Sequence, residues 1–411
     1  MTFPVDHVRS LFPALNHPDR IYADNPAGTQ VPATVAQAVA DRMLGDYANL
    51  GGHFTTSQSC DTLYTQAHTR AATFLGAASG REVIIGPSMT ALTFHMSRSI
   101  CRDFQPGDEI VITRMEHEGN VGPWLQIAHD MGLVIRWVAF DPDSWRVEPE
   151  ALAKQLTTRT RLVCLNHASN MTGSINDIAA LSAVAKDAGA LVFVDSVQYA
   201  PHLLPDVQAL GCDFLVCSAY KFFGPHLGLL WGREDLMQSL HPYKGRCVSD
   251  DLPDRFESGT PQLELLAGLC ATFDYFENLG THLDHTGSAR DLMQATYAAS
   301  LEYEHGLTRD LIRGLTGIDG LTIYGITNPN RTHDRVPTVS LRVEGHTPSA
   351  IAATLAQQGI YVWHGHNYAY EPTRQLGLPE AEGVVRIGLS HYNTQDEVAR
   401  IVTSVAEAVG A

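Results

Sequence analysis

Seven short apolar segments between residues 80 and 232 constrain this chain more than any other feature. They are GREVIIG (80–86), DEIVITR (108–114), LVIRWVAF (133–140), RLVCLNHA (161–168), ALVFVDS (190–196), DFLVCSA (213–219) and GLLWG (228–232). Several are near-continuous Val, Ile, Leu and Phe, the pattern of parallel strands buried on both faces. Amphipathic stretches separate them, such as DIAALSAVAKDAG (177–189), which Gly189 closes as a C-terminal cap. Strands that cross over through helices predict an α/β fold with a mainly parallel seven-stranded sheet.

The last third reads differently. Thr347-Pro348 looks like an N-cap followed by proline at the first helical position, and Gly359 ends that helix. Thr394 to Glu397 has the form of a capping box before a final helix over 395–409. RVPTVSLRV (335–343) and VVRIGLS (384–390) alternate as half-exposed strands do. This part reads as a smaller α+β domain over 285–411, following a large domain over 21–284. A length of 411 residues fits two or three domains.

The net charge of -17 argues against nucleic acid or an anionic membrane as partner. No apolar run is long enough to span a bilayer, and the first residues lack the pattern of a signal peptide. A soluble, cytoplasmic protein is the expectation. The seven cysteines form no CxxC pair, which disfavours a zinc site or a disulfide framework.

Two strand ends carry the first chemical signal. Asp195 ends ALVFVD, and Lys221 follows DFLVCSAY. Ligands of an open parallel sheet bind beyond the carboxyl ends of its strands. Pyridoxal 5'-phosphate (PLP) needs this pair: a lysine amine for a Schiff base, and a carboxylate to keep the pyridine nitrogen protonated. The lysine must also act as a base, so its pKa must fall through burial and a neighbouring positive charge. Taken singly, one is an ordinary loop lysine and the other a helix cap. Together they point to PLP. GPSMTALTF (86–94) offers phosphate donors at a helix start: Ser88, the Met89 backbone and Thr90. A plain N-cap explains that stretch equally well. Ser218 could add a contact. His117 follows a strand end and could stack on a cofactor ring, or could be a loop histidine.

At this point the chain resembles the class V aminotransferase family of fold-type-I PLP enzymes, and within it the cysteine desulfurase and selenocysteine lyase branch. The matching stretches are IYADNPAGTQVP (21–32), GDEIVITRMEHEGNVGPW (107–124), RLVCLNHASNMTGSI (161–175), ALVFVDSVQYAPH (190–202), DFLVCSAYKFFGPHLG (213–228), RFESGTPQ (255–262) and VRIGLSHYNTQDE (385–397). The resemblance implies Lys221 as the Schiff-base lysine, Asp195 as partner of the pyridine nitrogen, and Asn170 and Gln198 on the ring hydroxyl. It implies His117 stacked on the ring, Thr90 and Ser218 on the phosphate, and Arg386 on the substrate's α-carboxylate. Thr260 would reach the phosphate held by a partner subunit, which implies a homodimer with active sites at the interface. Residues 1–20 would be an N-terminal segment packed with the small domain.

Departures from the family pattern bear on the reaction. Desulfurases of this branch carry a reactive cysteine near residue 365; here the stretch is VWHGHNYAY (362–370), with Tyr368 or its neighbour at that place. No cysteine follows Cys270. Desulfuration needs a thiolate nucleophile. Tyr220 stands before the lysine where histidine is common, and GGHFTT (51–56) lacks a usual arginine-histidine pattern. The expectation is a PLP lyase acting on a small amino acid by β-elimination at a C–S or similar bond, with His364, His366 or Tyr368 protonating the leaving group. Alternatives are a class V aminotransferase, an epimerase and a non-catalytic PLP-binding module.

Overall fold

The computed structural model describes residues 3–410. The first two residues of the N-terminal segment and the last residue of the small domain lie outside the described residues.

All seven expected strands form, and all but the last, which matches GLLWG (228–232), are shorter than their apolar segments. They are β1 (Val83–Gly86), β2 (Glu109–Thr113), β3 (Val134–Val138), β4 (Thr160–Asn166), β5 (Leu191–Asp195), β6 (Phe214–Ser218) and β7 (Gly228–Gly232). They make one sheet in the order β1-β7-β6-β5-β4-β2-β3. Strand β7 runs antiparallel to both neighbours, and the remaining pairs are parallel. Successive side chains of a strand point to opposite faces. Accordingly Val163 and Leu165 join the core on one face of the sheet, while Leu162 and Cys164 join that on the other. A core on both faces is why these strands read as unbroken apolar runs.

Glycine permits the closest approach in this layer. A Cβ on Gly228 would stand 2.3 Å from the carbonyl carbon of Ser88 and 2.5 Å from the Met89 nitrogen. The helix Met89–Cys101 therefore begins directly against β7. The expected helix at 177–189 runs from Ile178 to Asp187, capped by the Asp177 side chain, with Gly189 at φ 78° just beyond its end.

A second sheet lies toward the C-terminus: β8 (Leu321–Tyr324), β9 (Thr338–Val343), β10 (Trp363–Gly365) and β11 (Val384–Gly388), in the order β10-β11-β9-β8, all antiparallel. The flanking helices Pro348–Gln357 and Gln395–Val409 carry the predicted Thr347 cap and Thr394/Glu397 capping box. The two cores share one helix, Ala289–Thr316. Its Met293 and Tyr297 pack in the core of the large sheet, and its Leu307, Leu311 and Leu315 in that of the small one. The N-terminal segment also divides its contacts. Val8, Phe12 and Leu15 enter the large core, whereas Arg9 pairs with Glu397 at 2.9 Å. Ile21 and Ala23 belong to the small core, because Ile21–Tyr22 pairs in parallel with Ile360–Tyr361. Among the described residues no helix is long and apolar enough to cross a membrane.

Candidate active site

The carboxyl ends of β1, β2, β4, β5 and β6 converge on a cavity of about 1100 Å³, which the loop 25–27 and the segment 363–370 close from the other side. Its wall includes eleven of the residues singled out from sequence: Met89, Thr90, His117, Asn170, Asp195, Gln198, Lys221, His364, His366, Tyr368 and Arg386. Three others lie outside it. Ser88 is occupied as a cap, its Oγ accepting from the Ala91 N–H at 3.1 Å. Ser218 is buried and its Oγ has no partner. Thr260 is exposed and takes no part in the cavity of its own chain.

Lys221 follows β6 in a single 3-10 turn and is 8% exposed. Its Nζ donates to the carbonyls of Pro26 and Ala27, the latter at 2.9 Å, and lies 4.9 Å from the centre of the Tyr220 ring. Burial, then the Arg386 charge, lowers its pKa to about 7 against the attraction of Asp195 and Asp24. A substantial fraction of the amine is therefore neutral near pH 7, as a nucleophile or base requires. Asp195 closes β5, pairs in register with Asn166 and Val216, and accepts from the Val197 N–H at 2.9 Å. Burial pushes its carboxyl up to about 6, opposed by that hydrogen bond and by Lys221. A cation above it would hold it ionised.

His117 forms a wall. Its Nδ1 accepts from the Gly119 N–H at 2.9 Å, and burial with the Lys221 and Arg386 charges lowers its pKa to about 3. The ring is neutral, a flat face for stacking. Arg386 sits in β11, 4% exposed, with Nη1 donating to the Asn170 carbonyl at 3.1 Å and Nε unpartnered. Burial lowers its pKa to about 10, still well above neutrality.

Sequence reasoning passed over Asp24. Its charge acts on both Arg386 and Lys221, one carboxylate oxygen is buried without a partner, and burial raises its pKa. It sits inside IYADNPAG, but no local pattern separates it from a turn aspartate. Tyr220 was noted there only as a departure; here its ring stacks on His226 at 4.8 Å beside the Lys221 amine.

These features define a site for a carbonyl cofactor that traps amines: a buried lysine of lowered pKa, a carboxylate beneath it and a guanidinium across the cavity. A comparison with known proteins identifies the class. A family model described as aminotransferase class-V matches residues 21–401. The aminotransferase-like protein FGM3 of Gibberella zeae is 34% identical over 98% of both chains, and a cysteine desulfurase of Pectobacterium atrosepticum is 31% identical over 98% of both. The apo structure of a cysteine desulfurase from Thermococcus onnurineus superposes with a TM-score of 0.88 at 28% identity, covering 100% of this chain and 99% of that one.

The chain belongs to the class V aminotransferase family, with a cysteine desulfurase-like sequence and the fold-type-I architecture. It is a PLP-dependent enzyme, as its relatives are. The cavity fits that cofactor. Asn170 Oδ1 and Gln198 Oε1, both of residues in its wall, are buried without partners, although buried polar atoms are normally paired. Their companion amide nitrogens are engaged: Asn170 Nδ2 donates to the Asn367 carbonyl at 2.7 Å and Gln198 Nε2 to the Pro26 carbonyl at 2.8 Å. Each amide is fixed with a free oxygen, as a polar ring substituent would need.

Proposed function

We propose that this enzyme is a lyase that removes a leaving group from Cβ of an amino acid, at a C–S or similar bond, without a thiol of its own. The observation that carries this reading is the cavity wall. It gathers Lys221, Asp195 and Arg386, and none of the seven cysteines lines it. Cys101, Cys164, Cys212 and Cys217 are buried, and burial pushes their thiols well away from the thiolate form that sulfur transfer requires.

PLP, when bound, supplies an aldehyde for the substrate amine and a ring that accepts the electron pair left at Cα. Lys221 and Asp195 would hold it, with His117 against the ring and Thr90 and the start of the helix Met89–Cys101 near the phosphate. Arg386 would take the α-carboxylate through its planar fork. The Lys221 amine then removes the Cα proton. The Cβ–S bond breaks with its electron pair on sulfur, and His364, His366 or Tyr368 returns a proton to it. The three-carbon remainder hydrolyses to pyruvate and ammonia. A class V aminotransferase is the second reading, favoured by the likeness to an aminotransferase-like protein at 34% identity.

A homodimer belongs to the same proposal. Met43, Leu44, Tyr47 and Phe54 are exposed, and the Tyr47 hydroxyl donates to Glu264 at 3.1 Å, four residues along the chain from Thr260. A second copy would cover these side chains and bring Thr260 to its partner's phosphate.

The test is a product analysis with cysteine, cystine and cysteine conjugates. Stoichiometric pyruvate and ammonia support elimination. Transfer of the amino group to an added keto acid supports the aminotransferase, and solvent deuterium at Cα of unconsumed substrate supports an epimerase. If borohydride reduction leaves no pyridoxyl adduct on Lys221, the assignment of that lysine fails. If the protein holds PLP and no amino acid is turned over, a non-catalytic binding module replaces the lyase.

A further inference from the structure

The chemistry above occupies the floor of the cavity and, apart from Tyr368 as one candidate proton donor, leaves its outer wall without a task. That wall is built from Phe94, Glu118, Trp363, Tyr368, Tyr370 and Glu380. Phe94, Trp363 and Tyr368 are 41%, 50% and 66% exposed, unusual values for large rings beside a cavity. Trp363 stands directly across from Arg386 in the β10–β11 ladder, so the two side chains share one face of the sheet. A substrate whose carboxylate lies on Arg386 therefore runs beside the indole.

The frame that presents these rings is fixed. The Tyr368 carbonyl accepts from the Glu118 N–H at 2.8 Å, and the Tyr368 N–H donates to His366 Nδ1 at 3.0 Å. Asn367 and Tyr368 both take left-handed backbone angles, φ 52° and 58°; asparagine adopts this region readily, but a tyrosine does so only when its surroundings impose it.

Glu118 is the unpaired member of this wall. It is half-buried and lines the cavity, yet among the described residues its carboxylate has no hydrogen-bond or ion-pair partner. The nearby Glu371, in contrast, is paired with Arg114 and with Arg374. Burial and the Glu371 charge push the Glu118 carboxyl up, a cost that an incoming cation reverses. A carboxylate without a partner that lines the same cavity as exposed aromatic rings is the chemistry of cation recognition.

We propose that the substrate is an amino acid whose side chain ends in a cation, an ammonium or a guanidinium, which pairs with Glu118 and lies against Trp363 and Tyr368. This rests on the amino-acid reading of the site. The cavity, at the upper end of the usual size for ligand sites, has length for such a chain beyond the cofactor.

The experiment is calorimetric titration of the PLP-loaded enzyme with arginine and lysine, and with citrulline and norleucine as uncharged counterparts. The cationic member of each pair is expected to bind at least about tenfold more tightly, equal to about 1.4 kcal/mol. In Glu118→Gln that ratio falls toward one. Equal affinities within the pairs in the wild type would overturn this proposal while leaving the amino-acid site intact. So would an undiminished ratio in Glu118→Gln. If none of the four binds while cysteine or a cysteine conjugate does, this proposal is overturned and the amino-acid reading stands; if these fail to bind as well, both fall.

Discussion

Glu116 precedes His117 and Glu118 in the chain and is fully buried, and among the described residues it has no ion-pair partner. Its carboxylate accepts from the Thr113 hydroxyl at 2.6 Å and from Asn120 Nδ2 at 2.8 Å, while Asn120 Oδ1 accepts from the Trp124 indole at 3.0 Å. These bonds favour the ionised form, but burial outweighs them and the Asp195 charge adds to it. The carboxyl is raised from 4.5 to about 8. The folded protein therefore keeps a proton that the unfolded chain releases above pH 4.5. A raised folded value means the stabilisation is complete below pH 4.5 and lost as pH climbs through 8. At about 1.36 kcal/mol for each pH unit between those values, the loss is about 5 kcal/mol. Glu116→Gln keeps the shape and one acceptor oxygen and cannot ionise. Urea unfolding of both proteins between pH 4.5 and 8.5 should show the variant gaining on the wild type by about 5 kcal/mol across that interval. Parallel stability curves would refute the claim that Glu116 is folded in its neutral form.

Three further outcomes follow from the same geometry. Arg386→Ala should raise KM for an amino acid about 10- to 150-fold with little change in kcat, the range for about 1.5–3 kcal/mol of charge-assisted hydrogen bonding; steady-state kinetics with an unchanged KM would remove Arg386 from the site. Loading of apoenzyme with PLP needs a neutral Lys221 amine, which the lowered pKa of about 7 supplies. The loading rate should thus rise with pH and level off by about pH 8, and a stopped-flow rate still climbing tenfold per unit toward pH 10 would contradict the lowered value. Gly228→Ala drives a methyl group into the Ser88 and Met89 backbone. It should cost about 1–3 kcal/mol in urea unfolding and weaken PLP retention on dialysis, whereas wild-type retention would mean the helix start does not help hold the phosphate.

The parts of this molecule that could be read from sequence are those governed by local periodicity. The inner strands of the large sheet are visible because both faces are buried, so every position in a run such as Phe214–Ser218 must be apolar or small, whereas the edge strand Val134–Val138 is only partly covered. The Thr394/Glu397 box marks a helix start through its own hydrogen bonds, and the helix begins at Gln395 as expected. The direction of β7 was not legible, since GLLWG reads the same for a parallel or an antiparallel strand. Nor was the shared helix, because the switch from one core to the other between Tyr297 and Leu307 leaves its amphipathic pattern unbroken. The floor residues of the cavity were accessible through strand-end logic and family resemblance. Asp24 and the lone state of Glu118 were not, because both depend on what stands nearby in space.

That division also says where this enzyme can differ from its relatives. The floor is made by strand ends of the large sheet, and moving Asp195 or Lys221 would mean changing the register of β5 or β6 against two buried cores. The part of the outer wall that carries Trp363, His364, His366 and Tyr368 is made by one short edge strand, β10, and by the turn after it, held through the Tyr368 carbonyl to Glu118 and through the Asn367 carbonyl to Asn170. Those two anchors use backbone carbonyls of the segment, so the side chains at 363, 364 and 368 can change without losing them, whereas His366 also holds the Tyr368 N–H through Nδ1. A tyrosine at the mouth bears the strain of its φ of 58° and alters what the floor is allowed to reach. It follows that substrate choice should respond to exchanges in 363–370 while cofactor affinity stays nearly constant, and that exchanges at 195 or 221 should weaken the hold on the cofactor and abolish turnover together.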